Sequence, residues 1–157
     1  MRLYRAMSKE EFNVLRERGF NSTFRKGWKW FATDPRYVYI VTHELNYNLT
    51  PETKYTRVVQ FDIEFHDIPS HFVRFFCERG YMNVAINRIA LSLVKSVSWT
   101  ELDKDSLPQP EPMLMWISHG KTIQVFDKRK AVKIFKNMIR ARMRIIHIHP
   151  HISKVEF

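Results

Sequence analysis

Apolar and polar residues alternate in short stretches of the first hundred residues, and this period of two predicts β-strands. The longest stretch is 55–65, where Val59, Phe61 and Ile63 fall on one face and Gln60 and Asp62 on the other. Such a strand is half-buried, with its apolar face on a core. Shorter stretches of the same kind predict strands over 2–7, 29–33, 82–86 and 94–99.

Helix signals follow the first and second of these strands. Ser8 and Glu11 form a capping box, in which the Ser8 hydroxyl accepts from the Glu11 amide and the Glu11 side chain reaches back to the Ser8 amide. Gly19 supplies the left-handed residue that ends this helix. Asp34 and Pro35 start a second helix, as its cap and its first residue.

The pattern is less regular after residue 65. Ser70 and Gly80 bracket a predicted helix over 71–79, which would bury Cys77. Prolines among charged residues indicate a linker over 101–112. The remaining chain predicts a hairpin with strands over 113–117 and 122–126, a helix over 128–143 capped by Asp127, and a last strand over 144–149.

Composition narrows the class of protein. The chain has 157 residues, of which 45% are hydrophobic and 27% charged, as in ordinary globular domains. No apolar run approaches the length of a membrane span, and the N-terminal residues lack the apolar core of a secretory signal. The single cysteine suits a reducing compartment. We therefore expect a cytoplasmic protein that does not cross a membrane.

Positive charge is concentrated near the C-terminal end. The net charge is +10, and residues 111–157 carry 10 of the 26 basic side chains but 3 of the 16 acidic ones. At 100° per residue, one face of the predicted helix over 128–143 is basic. That face collects Arg129, Lys133, Lys136, Arg140 and Arg144. A basic face of this kind favours nucleic acid or an acidic protein as the partner. Two alternative interpretations need no partner: the face is simply solvated, or the positive charge serves solubility alone.

Two further groups of residues suggest binding. Residues 25–30 interleave three basic side chains with Trp28 and Trp30, a combination that stacks bases or nicotinamide and neutralises phosphate. The alternative is that these tryptophans pack in a core. His147, His149 and His151 alternate at a metal-ligand spacing, but Pro150 interrupts them, and we expect no metal site.

The order of elements resembles the ADP-ribosyltransferase superfamily, in the toxin-like branch with an arginine, a serine/threonine strand and a glutamate. The resemblance covers roughly residues 3–99. It implies that Arg5, on the first strand, holds the dinucleotide NAD, and that Thr33, which follows Phe31 and Ala32, orders the ribose. Taken singly, Arg5 is also compatible with an ordinary surface residue of an edge strand, and Thr33 with a helix start.

The third motif of the family departs from its pattern. Asn83 stands where the resemblance places glutamate, and an amide offers a ribose hydroxyl a hydrogen bond but no full negative charge. Glu78 is the nearest carboxylate, and Glu111 is a distant one. Either the catalytic glutamate lies elsewhere, or the domain binds NAD without transferring ADP-ribose.

Together these observations predict an α+β fold, with a small split sheet, mixed or antiparallel, around a cleft and flanked by short helices. We expect an ADP-ribosyltransferase-like domain over 1–100, the linker over 101–112, and a basic hairpin–helix–strand extension over 113–157 packed on the same domain. The expected function is NAD binding, with Arg5, Trp28, Trp30 and Thr33, and ADP-ribosylation of a macromolecule, as in bacterial or phage effectors. The alternatives are a non-enzymatic binding protein for nucleic acid or an acidic partner, and a small nuclease.

Overall fold

The computed structural model describes residues 1–23, 27–44, 49–51, 53–65, 68–150 and 152. The chain divides into two compact units, Met1–Gln109 and Pro110–Phe157. Both units combine antiparallel strands with helices, which confirms the predicted α+β class. None of the helices in the described ranges is both long enough and apolar enough to cross a membrane.

A six-stranded antiparallel sheet forms the first unit, in the order β4-β5-β2-β1-β3-β6. Its strands are β1 (Arg2–Ser8), β2 (Trp28–Ala32), β3 (Tyr55–Phe65), β4 (Val73–Glu78), β5 (Tyr81–Asn87) and β6 (Val94–Leu102). Five of these strands lie where the sequence predicts them. β3 has the predicted bounds, and its alternate residues Val59, Phe61 and Ile63 are buried as expected.

The helices of this unit are α1 (Lys9–Arg18), α2 (Phe20–Thr23), α3 (Pro35–His43) and α4 (Arg88–Leu91). Caps predicted from the sequence are confirmed at both longer helices, since the Ser8 side chain accepts from the Glu11 amide and Asp34 accepts from the Arg36 amide. Gly19 follows α1 with a positive φ of 77°. The Glu11 carboxylate is not bonded to Ser8 as predicted; it binds Arg5.

One face of the sheet carries the core of this unit. Leu3 and Met7 of β1 belong to one buried cluster with Phe12 and Leu15 of α1 and with Phe61 of β3. These residues are almost fully buried. Burial of large apolar side chains supplies the main driving force for folding, so this face fixes the position of α1 above β1.

The centre of the sheet is split. β1 pairs with β3 over seven residues and β2 pairs with β5 over five, but β1 and β2 share one register pair, Tyr4 with Ala32. Two neighbouring strands that pair at a single position diverge on either side of it. The sheet therefore opens between β1 and β2, in agreement with the predicted split sheet.

The predicted helix over 71–79 is wrong. Ser70–Phe72 forms one 3₁₀ turn, and Val73–Glu78 is strand β4, so Cys77 is exposed instead of buried in a helix. Arg79 and Gly80 have successive positive φ angles of 55° and 83°. This is the backbone of a tight hairpin turn, which pairs β4 with β5 and overrides the local helix signals.

In the second unit β7 (Leu114–Ser118) and β8 (Lys121–Val125) form the predicted hairpin, and β9 (His147–Ile148) pairs with β7. α5 (Lys128–Arg140) ends before the predicted limit of 143, and β9 is shorter than the predicted strand over 144–149. Apolar residues of β7, β8 and α5 form one buried cluster with Ile152, which follows β9; its other members are Leu114, Val125, Ala131, Phe135 and Met138.

A buried ion pair ties α3 to the turn between β4 and β5. Glu44, at the C-terminal cap of α3, accepts from the Arg79 guanidinium at 3.0 Å, and the two side chains are 7% and 14% exposed. Glu44→Gln removes the carboxylate charge that faces the buried Arg79 guanidinium. We therefore expect this substitution to lower the free energy of unfolding by about 3 kcal/mol.

Urea denaturation measures this change. Glu64→Gln is the control, because Glu64 is exposed and should change stability by less than about 0.5 kcal/mol. Equal stability of the two variants would show that the Glu44–Arg79 pair does not anchor α3.

Candidate functional site

A cavity of about 350 Å³ opens in the first unit and takes residues from both strands at the split. This volume lies at the lower end of the range for small-molecule pockets. Six aromatic side chains contribute to its wall, together with three residues that carry polar chemistry and apolar residues of β1, β2 and α3. The lining residues are Tyr4, Arg5, Ala6, Trp30, Phe31, Ala32, Tyr37, Val38, Val41, Tyr55, Phe76, Glu78 and Asn83.

Arg5 bridges the diverging strands. Its Nε and Nη2 donate to Glu11 Oε1 at 3.0 and 2.8 Å, and its Nη1 donates to the backbone carbonyl of Trp30 on β2. Arg5 and Glu11 are 16% and 20% exposed at their side chains, so water screens this pair only partly. The guanidinium thus occupies a fixed position at the wall of the cavity, with α1 supplying its counter-charge.

Glu78 and Tyr37 form a second polar group in the wall. The Tyr37 hydroxyl donates to Glu78 Oε2 at 2.7 Å, across the space between α3 and β4. Burial raises the pKa of the Tyr37 phenol far above its ordinary value, and the hydrogen bond to Glu78 raises it further. Tyr37 therefore stays protonated at neutral pH and donates to the carboxylate.

Asn83 lies on β5 and is 1% exposed. Its Nδ2 donates to the Tyr81 carbonyl at 3.3 Å, whereas its Oδ1 is buried and meets no hydrogen-bond donor among the described residues. A buried acceptor without a partner destabilises a fold by about 1–3 kcal/mol. An orphaned acceptor in the residue set of a cavity is the kind of group that a bound ligand satisfies.

The predicted tryptophans lie on the same face of β2. Trp30 is 53% exposed and packs edge-to-face on Phe76 at 4.6 Å between ring centroids, within the cavity wall. Trp28 is half-buried beneath the Arg74 guanidinium, whose central carbon lies 4.3 Å from the ring centroid. Trp28 is not among the lining residues, and Arg25 and Lys26 lie outside the described residues.

Thr33 is exposed directly after β2, next to the cavity residue Ala32. Its hydroxyl donates to the backbone carbonyl of Met82 on β5. Thr33 is not among the residues that line the cavity. The structure therefore brings together four of the predicted site residues, Arg5, Trp30, Glu78 and Asn83, and leaves Thr33 and Trp28 beside them.

Sequence reasoning missed Tyr37 and the role of Glu11. Tyr37 lies in the first turn of α3 and donates to a carboxylate on a distant strand, which the local sequence of the helix does not indicate. Glu11 had been assigned to the helix cap. One local signal for this role was present. Glu11 lies six residues after Arg5, in the first turn of the helix that follows the strand, and from there its side chain can reach back to that strand.

The basic face of α5 is partly confirmed. Arg129, Lys133 and Arg140 are exposed and Lys136 is half-buried, opposite the buried apolar side of the helix. The prediction that Arg144 belongs to this face is wrong, because α5 ends at Arg140 and Arg142 adopts a positive φ of 53°. Four of the six basic side chains of the helix remain on this face, and the helix contains no acidic residue.

The histidines of the second unit lie beside a carboxylate. His147 Nε2 is 3.7 Å and His149 Nε2 is 3.6 Å from the two oxygens of Glu111, and His147 Nε2 is also 2.9 Å from the Pro112 carbonyl. Within the described ranges, no group of three or more acidic, histidine or cysteine side chains is arranged to hold a metal ion. His151 and Glu156 lie outside those ranges.

No family model, curated protein or solved structure matches this chain. The function therefore has to be argued from the chemistry of the cavity and of the basic helix.

The unpartnered oxygen of Asn83 allows a test of the cavity without any ligand. Asn83→Val replaces it with an apolar residue that suits a central strand, so we expect the free energy of unfolding to rise by about 1 kcal/mol, measured by urea denaturation. Asn83→Asp is the control, since an additional buried charge should lower stability. A loss of stability in Asn83→Val comparable to that of Asn83→Asp would show that the amide oxygen is satisfied in the native protein.

Proposed function

We propose that this protein binds NAD with the nicotinamide–ribose end in the cavity and transfers ADP-ribose to a macromolecule. The observation that carries the proposal is that four residues selected from the sequence line one cavity where the sheet splits. Arg5, Glu78 and Asn83 were selected by the family resemblance, and Trp30 was selected because it alternates with basic residues. These residues come from four strands that are neighbours in the sheet.

The wall of the cavity fits a nicotinamide ring. Trp30 and Phe76 offer aromatic surface to a flat ring, and stacking on such surfaces contributes about 1–3 kcal/mol for a nucleobase. Asn83 Oδ1 needs a donor, which a carboxamide N–H or a ribose hydroxyl supplies. Arg5 places a guanidinium in the same wall, where an oxygen of the nucleotide can accept from it.

The proposed reaction is a substitution at the ribose carbon C1′. The bond between C1′ and the nicotinamide nitrogen breaks, and nicotinamide leaves with the bonding electron pair as a neutral molecule. An oxygen or nitrogen of the acceptor forms the new bond to C1′ and gives up its proton. Positive charge builds on the ribose as the bond breaks, and a nearby carboxylate stabilises that charge.

Glu78 is the carboxylate that the cavity offers for this step. The hydrogen bond from Tyr37 fixes its position without neutralising it, because Tyr37 remains protonated. Glu78 also accepts the proton that the acceptor releases. Thr33 keeps its predicted role beside the ribose as part of this proposal.

Binding is tested by the melting temperature in millimolar NAD. We expect NAD to raise the melting temperature of the native protein, because a ligand that binds only the folded state stabilises it, and we expect Arg5→Ala to abolish the rise. Arg2→Ala is the matched control: Arg2 lies on the same strand, is 61% exposed and pairs with Asp62, so its loss should leave the rise intact.

Transfer is tested by incubating the protein with labelled NAD and a cell extract, and following the label on protein, DNA and RNA. Glu78→Gln keeps an acceptor for Tyr37 but removes the charge, so we expect the NAD-dependent rise in melting temperature to persist while labelling falls at least about 100-fold. Undiminished labelling by Glu78→Gln would exclude Glu78 from the reaction, and no thermal response to NAD would contradict the proposal as a whole.

A second candidate function rests on α5. Arg129, Lys133, Lys136 and Arg140 form a basic face without an acidic residue on the helix, and a row of cations favours a polyanion such as nucleic acid or an acidic protein. In this case the second unit would recruit the partner whether or not the cavity holds NAD.

Retention on immobilised nucleic acid at low salt tests the basic face. We expect Lys133→Glu with Arg140→Glu to weaken retention at least about tenfold, because each charge reversal opposes phosphate. The control is Lys9→Glu with Lys95→Glu, which makes the same change in net charge on exposed residues of the first unit. Equal losses for the two double variants would show that net charge, and not α5, governs retention.

A further inference from the structure

One face of strands β2 and β4 presents aromatic rings together with a guanidinium. We name Trp28, Trp30, Arg74 and Phe76 the aromatic face. Trp30 is 53% exposed although it is a large apolar side chain. Other large apolar side chains are equally exposed, but Trp30 differs from them because it lies in the wall of the cavity and contacts a second ring there.

The register of the sheet explains how the aromatic face forms. β5 lies between β2 and β4, and its residue Ala85 pairs with Trp30 on one side and with Arg74 on the other. Because alternate residues of a strand share a face, Trp28, Trp30, Arg74 and Phe76 project from the same side of the sheet. The small side chain of Ala85 leaves room between the larger ones.

Two contacts hold the aromatic face together. The Trp30 and Phe76 rings meet edge-to-face at 4.6 Å, with an angle of 84° between their planes, and the Arg74 guanidinium lies over Trp28 at 4.3 Å. Trp30 and Phe76 also belong to the wall of the cavity that contains Glu78. The aromatic face therefore leads directly to the carboxylate proposed for ADP-ribose transfer.

Rings and a guanidinium on an open sheet are the chemistry that binds unpaired bases. Flat aromatic surfaces stack on any base, cations neutralise the backbone, and four-stranded sheets that bind RNA use exposed aromatic residues in this way. A duplex keeps its bases stacked on one another and offers no base plane to such a surface. A peptide would gain little from Arg74, because its guanidinium already lies over the Trp28 ring. The net charge of +10 also disfavours the binding of basic peptides.

We propose that the acceptor of this protein is a single-stranded nucleic acid, whose bases stack on Trp28 and on the part of Trp30 that a nicotinamide in the cavity leaves exposed, so that one nucleotide lies next to Glu78. This inference rests on the proposed function for the transfer step, in which a nitrogen or oxygen of that nucleotide bonds to ribose C1′, nicotinamide leaves with the electron pair, and the acceptor's proton passes to Glu78. The binding of the strand itself does not depend on NAD.

Fluorescence anisotropy of labelled oligothymidylate at a fixed low salt concentration tests the inference. We expect Trp30→Ala to weaken binding about tenfold, and Trp30→Phe, which keeps an aromatic ring, to restore it to within about threefold of the native protein. Arg74→Glu should weaken binding about tenfold or more. Lys95→Glu is its matched control, because Lys95 is exposed on β6, at the opposite edge of the same sheet.

Two further probes separate the strand from other partners. Oligothymidylate annealed to oligoadenylate should bind at least about tenfold more weakly than the single strand, and polyglutamate should not compete at equal charge. Equal binding of duplex and single strand, equal losses in Arg74→Glu and Lys95→Glu, or competition by polyglutamate would each overturn the inference.

The inference and the proposed function fail separately. If oligothymidylate binding is insensitive to Trp30 and Arg74 while NAD still raises the melting temperature, the acceptor assignment is overturned and NAD binding stands. If the strand binds through Trp30 and Arg74 but NAD has no thermal effect, the aromatic face is a nucleic-acid site and the transfer reaction is contradicted.

Discussion

The Arg5 guanidinium holds the two central strands at the distance on which the rest of the site depends. β1 and β2 separate after one paired position, and strands that separate leave backbone groups that need other partners. Arg5 supplies a donor to the Trp30 carbonyl, and Glu11 on α1 holds the guanidinium from the other side. One side chain thus satisfies the open edge of β2, anchors α1 and forms part of the cavity wall.

The remaining features of the cavity follow from this opening. The Glu44–Arg79 pair fixes α3 relative to the β4–β5 turn, which brings Tyr37 to Glu78. Asn83, on β5 beside β2, contributes to the wall of this cavity with a buried and unsatisfied oxygen. Aromatic rings, one carboxylate, one guanidinium and one unpaired acceptor form a combination that structural packing alone does not require, since each polar group reduces the stability gained from an apolar core.

Much of the fold could be predicted from the sequence where the determinants are local. The cap at Ser8, the glycine stop at Gly19 and the alternation of β3 depend on residues a few positions apart, and all three are confirmed. β4 was mistaken for a helix because its conformation depends on pairing with β5 through the Arg79–Gly80 turn. The end of α5 depends similarly on the left-handed Arg142, which no local signal indicated.

The candidate site was only partly visible for the same reason. Arg5, Glu78 and Asn83 were selected because their order resembles a known pattern, and Trp30 because it alternates with basic residues. Their partners Glu11, Tyr37 and Phe76 are set by tertiary packing. The chemistry of a single residue can be inferred from the sequence. The pairing of Arg5 with Glu11 and not with another carboxylate depends on the packing of α1 above β1.

The most direct test of this account is an NMR titration with free nicotinamide, with the side-chain amide of Asn83 and the indole N–H groups of Trp30 and Trp116 assigned. The account predicts that Asn83 and Trp30 shift together and saturate, while Trp116, which lies in the second unit on β7, does not move. Unchanged signals from Asn83 and Trp30, or a shift of Trp116 of the same size, would contradict a nicotinamide site in the split sheet.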